Sequence, residues 1–279
     1  MSDFLDQMAL SSRRRVELLR SGSGMEDLYG RAKEVEAAPR LKLSQQGFDL
    51  IAEIKLASPS EGRLAIDAQG IAARASVYGR SGACAVSVLT EPDYFGGDIR
   101  HIETAATELA ASDIPVLAKD FMTDPSQVCE ARIAGAGGIL LIVRMLDDDT
   151  ARDMLELSLE LGMFVLVEAF DHEDLTRAAA LLKGATRNTE RVLVGLNTRD
   201  LQSLKVDPDR LARLAGDFPS GVPRVAESGI GNENDAARVA GMGYSLALVG
   251  TALMKDSDPG ARIERMLAGA RQPAPRVGQ

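Results

Sequence analysis

Four short apolar runs of this chain end in polar or charged groups, several of which can carry protons. The run from Asp49 closes on Glu53 and Lys55, that from Ile114 on Lys119, that from Met163 on Glu168, and that from Val192 on Asn197, with Arg199 just beyond. One charge at the end of a buried strand is ordinary and most often sits in a structural salt bridge. The same arrangement on several strands predicts a single rim where the charges meet. Acids and bases crowded at one mouth shift each other's pKa values, which suits proton transfer. The other strand ends add Thr90 and Glu91, Arg144, Glu227 and Ser228, and Gly250 and Thr251 to the candidates. The two histidines, His101 and His172, have no metal-ligand partner at usable spacing, so neither a metal nor a cofactor is expected. Lys and Glu must then do the acid–base work, a Lys of lowered pKa as general acid and a partly desolvated Glu as acid or base.

Eight strand-like runs supply these ends: 49–55, 83–89, 114–119, 138–143, 163–168, 192–197, 222–227 and 245–250. They are continuously apolar rather than alternating, as expected of strands covered on both faces. Segments of helical period lie between them, including 71–78, 127–134, 151–161 and 234–240. Asp124-Pro125 predicts a helix start, Asp171 with Asp174 an acidic capping box, and Gly135, Gly162 and Gly241 helix stops. Strand then helix, eight times over, predicts a (β/α)₈ TIM barrel over residues 49–267. A doubly wound sheet would carry a GxGxxG turn after its first strand, where this chain has Ala57-Ser58-Pro59-Ser60. Residues 1–48 carry a helical stripe (Phe4, Leu5, Met8, Val16, Leu19) and predict an N-terminal helical extension packed on the barrel, as a plug at one end or a lid over the rim. Residues 268–279 lack periodicity and are expected to form a flexible tail.

The net charge of −9 disfavours nucleic-acid binding, and the one basic cluster, Arg13-Arg14-Arg15, is expected to be a solvated helix face. Cys84 and Cys129 show no metal or disulfide spacing, which fits a reduced cytoplasmic compartment, with Cys84 in the core. The longest apolar stretch, from Ile133 to Val143, is too short to span a bilayer. Nothing in the sequence calls for an obligate protein partner. The last two strands end in Glu227-Ser228-Gly229-Ile230 and Val249-Gly250-Thr251-Ala252, adjacent small-residue turns of the kind that bind phosphate in this fold, so a phosphate monoester is the expected small-molecule ligand.

These segments have a counterpart. Ile51-Ala-Glu-Ile-Lys55 with Ser58-Pro59-Ser60, Ser87-Val-Leu-Thr-Glu-Pro-Asp-Tyr-Phe95-Gly-Gly, Pro115-Val-Leu-Ala-Lys119-Asp-Phe121, Leu166-Val-Glu168, Gly195-Leu-Asn197-Thr-Arg199-Asp-Leu201, Val225-Ala-Glu-Ser-Gly229-Ile and Leu248-Val-Gly-Thr-Ala-Leu-Met254 stand in the order of one family. From about residue 4 to 255 the chain resembles indole-3-glycerol phosphate synthase. The resemblance implies closure of the indole ring of 1-(2-carboxyphenylamino)-1-deoxyribulose 5-phosphate with loss of carbon dioxide and water, in tryptophan biosynthesis. It implies Lys119 as general acid, Glu168 as its partner acid or base, and Lys55 with Glu53 as the pair assisting closure and dehydration, Lys55 also reaching the phosphate. Asn197, Arg199 and Ser58 would surround the anthranilate carboxylate and the reacting centre. Phe95, Phe121, Leu140 and Leu201 would wall the ring, and Gly229, Gly250 and Thr251 would hold the phosphate, beside Glu227 and Ser228.

The chain departs from the family pattern at four places. Leu56 stands where a basic residue is common, Ala118 where Arg is usual, Ala169-Phe170 where Val-His is typical, and Thr198 where a second Asn is frequent. These leave a substrate-shifted paralogue as the alternative. A related phosphate-binding barrel isomerase would rely on a Cys or Asp at the first strand end, and a catalytically silent scaffold would be expected to lose Lys119 or Glu168.

Overall fold

The apolar runs become strands within two residues of their expected bounds. They are β1 (Asp49–Ile54), β4 (Ala85–Leu89), β5 (Val116–Lys119), β6 (Gly138–Ile142), β7 (Phe164–Ala169), β8 (Val192–Asn197), β9 (Arg224–Glu227) and β10 (Leu246–Val249). Each pairs in parallel with its sequence neighbours, and β1 pairs with both β4 and β10, closing the barrel. The computed structural model describes residues 3–59, 62–64, 70–187, 189–200 and 203–271. Every residue of β1, β4, β6, β7, β8 and β10 is buried, because helices cover the outside while side chains fill the inside. Between β1 and β4, Ala57–Ser58 (β2) and Gly62–Arg63 (β3) form a small antiparallel hairpin.

Helix α1 (Asp3–Gly22) lies along the rim at the C-terminal ends of the strands. Phe4 meets Tyr94 and Phe121 edge-on, with centroids 5.7 and 5.9 Å apart. Ser12 bonds Thr123 and Gln127. Of the two placements considered for this helix, the structure has it flanking the mouth. The expectation that Arg13-Arg14-Arg15 is wholly solvated fails at Arg15, whose guanidinium forks onto Asp120 at 2.8 and 2.7 Å. Helix α2 (Met25–Glu34) packs on α6 (Pro125–Ile133) through Leu28, Ala32 and Cys129. The segment after α2 then crosses to the opposite end of the barrel, where Ala38 and Pro39 lie over Gly137.

Local signals read from the sequence hold in part. Asp124 caps α6 with Pro125 in its first turn. Gly135 and Gly162 adopt φ of +93° and +78° just beyond their helices, a region open to glycine. Gly241 is instead the last residue of its helix, and Gly243 takes the left-handed turn. Asp171 does cap α8 (His172–Gly184), but the Asp174 carboxylate turns to the Phe170 amide and Arg144, so no reciprocal box forms. The last helix, α12 (Pro259–Ala270), passes the expected barrel boundary at residue 267. Arg271 binds the Phe48 carbonyl and Asp49, tying the end of this helix to the start of β1. The remainder of the expected tail, 272–279, lies outside the described residues.

Candidate active site

The strands leave a cavity of about 450 Å³ at their C-terminal ends, within the range of small-molecule sites. Glu53, Lys55, Ser58, Phe95, Lys119, Phe121, Leu140, Glu168, Asn197, Arg199, Glu227, Ser228, Gly229, Gly250 and Thr251 all line it. Leu201 and Ser60 lie outside the described residues. The register explains the convergence. In a parallel sheet, residues directly opposite each other share a face, and Glu168 pairs with Gly195, Asn197 with Glu227, and Glu227 with Leu248.

Two glycines make room for two of the carboxylates. A Cβ on Gly195 would stand 2.0 Å from Glu227 Oε1, and one on Gly250 would stand 2.1 Å from Glu53 Oε1. Lys55 Nζ donates to Glu53 Oε1 at 2.7 Å, and Lys119 Nζ to Glu168 Oε2 at 3.3 Å. Asn197 Nδ2 donates to Glu168 Oε1 at 3.4 Å, while its Oδ1 accepts from Ser228 Oγ and the Arg199 amide at 2.8 and 2.9 Å. Ser228 reaches that position from a left-handed backbone (φ +66°), unusual for a residue with a side chain. Both Glu227 oxygens are buried without a hydrogen-bonding partner among the described residues.

Burial acts against every charge in this cluster, and the neighbours decide the outcome. Desolvation would lower the Lys119 pKa, but Glu168, Glu227 and Glu53 outweigh it and raise it above the ordinary lysine value. The lowered lysine pKa anticipated for a general acid is therefore not found, because the carboxylates around Lys119 favour its charged form. Burial would likewise raise Glu53, yet Lys55, Lys119 and Arg199 hold it below its usual value. Burial and then the Glu168 charge push Glu227 well above the carboxylate range, with Lys119 only partly opposing them. The neighbours thus favour the charged forms of Lys119 and Glu53, whereas burial and Glu168 favour the neutral form of Glu227.

The apolar wall comes from Phe95 and Phe121, 5.9 Å apart, with Leu140 and Phe4. On the far side, Gly229 (φ +72°) and the start of α11 (Thr251–Lys255) bring backbone amides to the mouth, and Lys255 lines the cavity beside them. Phe4 was visible in the sequence only as part of a helical stripe. Lys255 and Asp120 carried no separate signal, since each needs the folded rim to bring it close. Three rim candidates serve the scaffold. Arg144 turns away to Asp171 and Asp174 and lies over the Phe170 ring at 4.6 Å. Glu91 caps the short helix α4 (Pro92–Phe95), and Thr90 donates to Asp120. Among the family departures, Phe170 lines the cavity and Thr198 Oγ1 donates to the Glu227 and Ser228 carbonyls, supporting the end of β9. Among the described residues no group of His, Cys, Asp and Glu is placed to hold a metal ion, and no helix is long and apolar enough to cross a membrane.

Comparison with known proteins bears on this geometry. Solved barrels that resemble the fold include 3-hexulose-6-phosphate synthase from Salmonella typhimurium (TM-score 0.60, 16% identity, covering 80% of this chain and 98% of that one). Another is thiamine phosphate pyrophosphorylase from Pyrococcus furiosus (TM-score 0.56, 16% identity, covering 81% and 98%). At such identities the likeness concerns the fold alone. An indole-3-glycerol phosphate synthase of Rhizorhabdus wittichii is 38% identical over 277 residues, covering 97% of this chain and all of that one. One from a Parafrankia species is 42% identical over 246 residues, covering 88% and 85%. The sequence model of the indole-3-glycerol phosphate synthase family matches residues 5–266. With the family model matching nearly its whole length and relatives of this identity covering most of it, the chain belongs to the indole-3-glycerol phosphate synthase family of enzymes.

Proposed function

We propose that this chain is a carboxy-lyase that closes the indole ring of 1-(2-carboxyphenylamino)-1-deoxyribulose 5-phosphate, releasing carbon dioxide and water. The observation that carries the reading is one cavity with three unlike ends: paired Lys and Glu in the middle, aromatic rings on one side, and glycine turns on the other. The phosphate would sit at Gly229, Gly250 and Thr251, and the anthranilate ring between Phe95, Phe121 and Leu140. Asn197, Arg199 and Ser58 would surround the ring carboxylate. The ring carbon bearing that carboxylate attacks the ribulose ketone, and Lys119 protonates the oxygen as it gains charge. Carbon dioxide then leaves, and its bonding pair restores the aromatic ring. The new hydroxyl departs as water with a proton from Lys55, while Glu53 takes the proton from the neighbouring methylene carbon to complete the indole. Glu168 holds Lys119 in place and returns its proton.

General acid–base steps of this kind typically contribute about 10²–10⁴-fold each. The test is incubation of the purified chain with the carboxyphenylamino substrate, following indole fluorescence and carbon dioxide release. Equal amounts of both products support the assignment. Absence of turnover by folded protein, or fluorescence change without carbon dioxide, overturns it.

A further inference from the structure

The end of the barrel opposite the mouth carries a second cavity, of about 350 Å³. Gly137, Met163 and Arg191 line it, and each immediately precedes a strand, which puts the cavity at the N-terminal end of the sheet. The segment after α2 forms its outer wall with Ala37, Ala38 and Arg40. Three arginines therefore border one small space in a protein of net charge −9.

These arginines lack the carboxylates that usually accompany them. Among the described residues, neither the Arg40 nor the Arg191 side chain has a hydrogen-bond or ion-pair partner. Arg132 is only 5% exposed. Its Nη2 donates to the Val35 and Glu36 carbonyls at 3.0 and 2.7 Å, and its Nη1 is buried without a partner. Burial alone acts on its pKa, lowering it, with no acid close enough to offset the effect. The one acidic residue of the wall, Glu160, is already engaged by Tyr29 and Arg187. A buried guanidinium with an unpaired nitrogen, as in Arg132, is costly unless an acceptor joins it; Arg40 is exposed and Arg191 half-buried, and the planar guanidinium fork suits oxyanions.

We propose that this cavity binds a small multivalent oxyanion, held by Arg40 and Arg191 against the buried Arg132. The site is separate from the phosphate end of the mouth, since it lies at the other end of the strands. It adds a ligand to the folded chain and so stabilises it without touching the reacting groups.

Two probes separate the sources of such an anion: inorganic phosphate for phosphate esters and citrate for polycarboxylates. Each is titrated calorimetrically into the full chain at low ionic strength, and into Arg40→Gln/Arg191→Gln. A control, Arg13→Gln/Arg14→Gln, removes the same formal charge from the exposed face of α1. The mouth is intact in all three proteins, so its own anion binding is common to them. The expected result is at least tenfold weaker binding of one or both probes in the Arg40/Arg191 variant, within twofold of parent in the control, with turnover unchanged in both. Arg191→Lys should restore part of the affinity. Equal effects of the two double variants would reduce the cavity to a general field effect and overturn the proposal. Unchanged binding in the Arg40/Arg191 variant would do so as well.

Discussion

Gly250→Ala adds one methyl group, and the structure sets its consequence. The new Cβ would stand 2.1 Å from Glu53 Oε1 and 3.1 Å from Lys55 Nζ, whereas real Cβ atoms keep beyond 3.0 Å. The difference, 3.0 − 2.1, requires the carboxylate or the turn to retreat by about 0.9 Å. Glu53 is buried and held to Lys55 at 2.7 Å, so its retreat must carry the ion pair out of place towards the cavity that both residues line. A misplacement of about 1 Å can lower turnover by about 10²-fold. Overpacking of a buried site destabilises by about 1–3 kcal/mol, which for a chain of this size lowers Tm by about 2–4 °C per kcal/mol. Steady-state kinetics by indole fluorescence should show kcat reduced by about two orders of magnitude. The competitive inhibition constant of inorganic phosphate should move far less. If Gly250 served only close approach to the phosphate, a larger residue would chiefly weaken binding. A kcat within threefold of the parent, with KM or phosphate inhibition changed instead, would show that Glu53 is not held in its working position by this glycine.

Lys119→Met should lower kcat by about 10²–10⁴-fold while product still binds, because the rings and glycine turns stay intact; turnover within a few-fold of the parent would remove Lys119 from its role. Glu168→Gln should lower kcat far more than it raises KM, and a rise in KM alone would make Glu168 a positioning group. Glu227→Gln concerns stability. Burial and Glu168 raise the Glu227 pKa well above its usual value in the folded chain, whereas the unfolded chain ionises it near pH ~4.3. Between those points the folded state binds the extra proton, so this group's contribution is present below pH ~4.3 and is lost as pH rises towards its folded pKa. The variant cannot ionise, so its Tm relative to the parent should rise from pH 4 to pH 8; a difference flat in pH would refute the protonated state.

The strands were legible because both of their faces are buried, which makes each a continuous apolar run with its chemistry at the end. That also exposed Glu53, Lys55, Lys119, Glu168 and Asn197 as a set. What stayed hidden depends on register around a closed ring. Gly195 reads as an interruption within a strand until its neighbour Glu227 is seen to occupy the space it leaves. Arg144 looked equivalent to Lys119 by position, but the chain after β6 turns into a short 3₁₀ segment that aims it at α8. The direction of the Lys119 shift could not be read from one strand end, since its causes come from β1, β7 and β9. The partnership of Arg15 with Asp120 joins residues 105 positions apart, beyond any local pattern.

The ring closes where Asp49 pairs with Leu246, near the two ends of the chain. Glu53 rises from the first of these strands, and the Gly250 turn that shapes its place follows the last. Contacts so distant in sequence form late, because the entropy of closing the intervening loop must be overcome first. Helices and neighbouring strand pairs need no such closure. During refolding from denaturant, helical ellipticity should therefore recover ahead of turnover. The gap between the two signals measures the time taken to join the first strand to the last, which makes the enzyme's own reaction a clock for completion of its barrel.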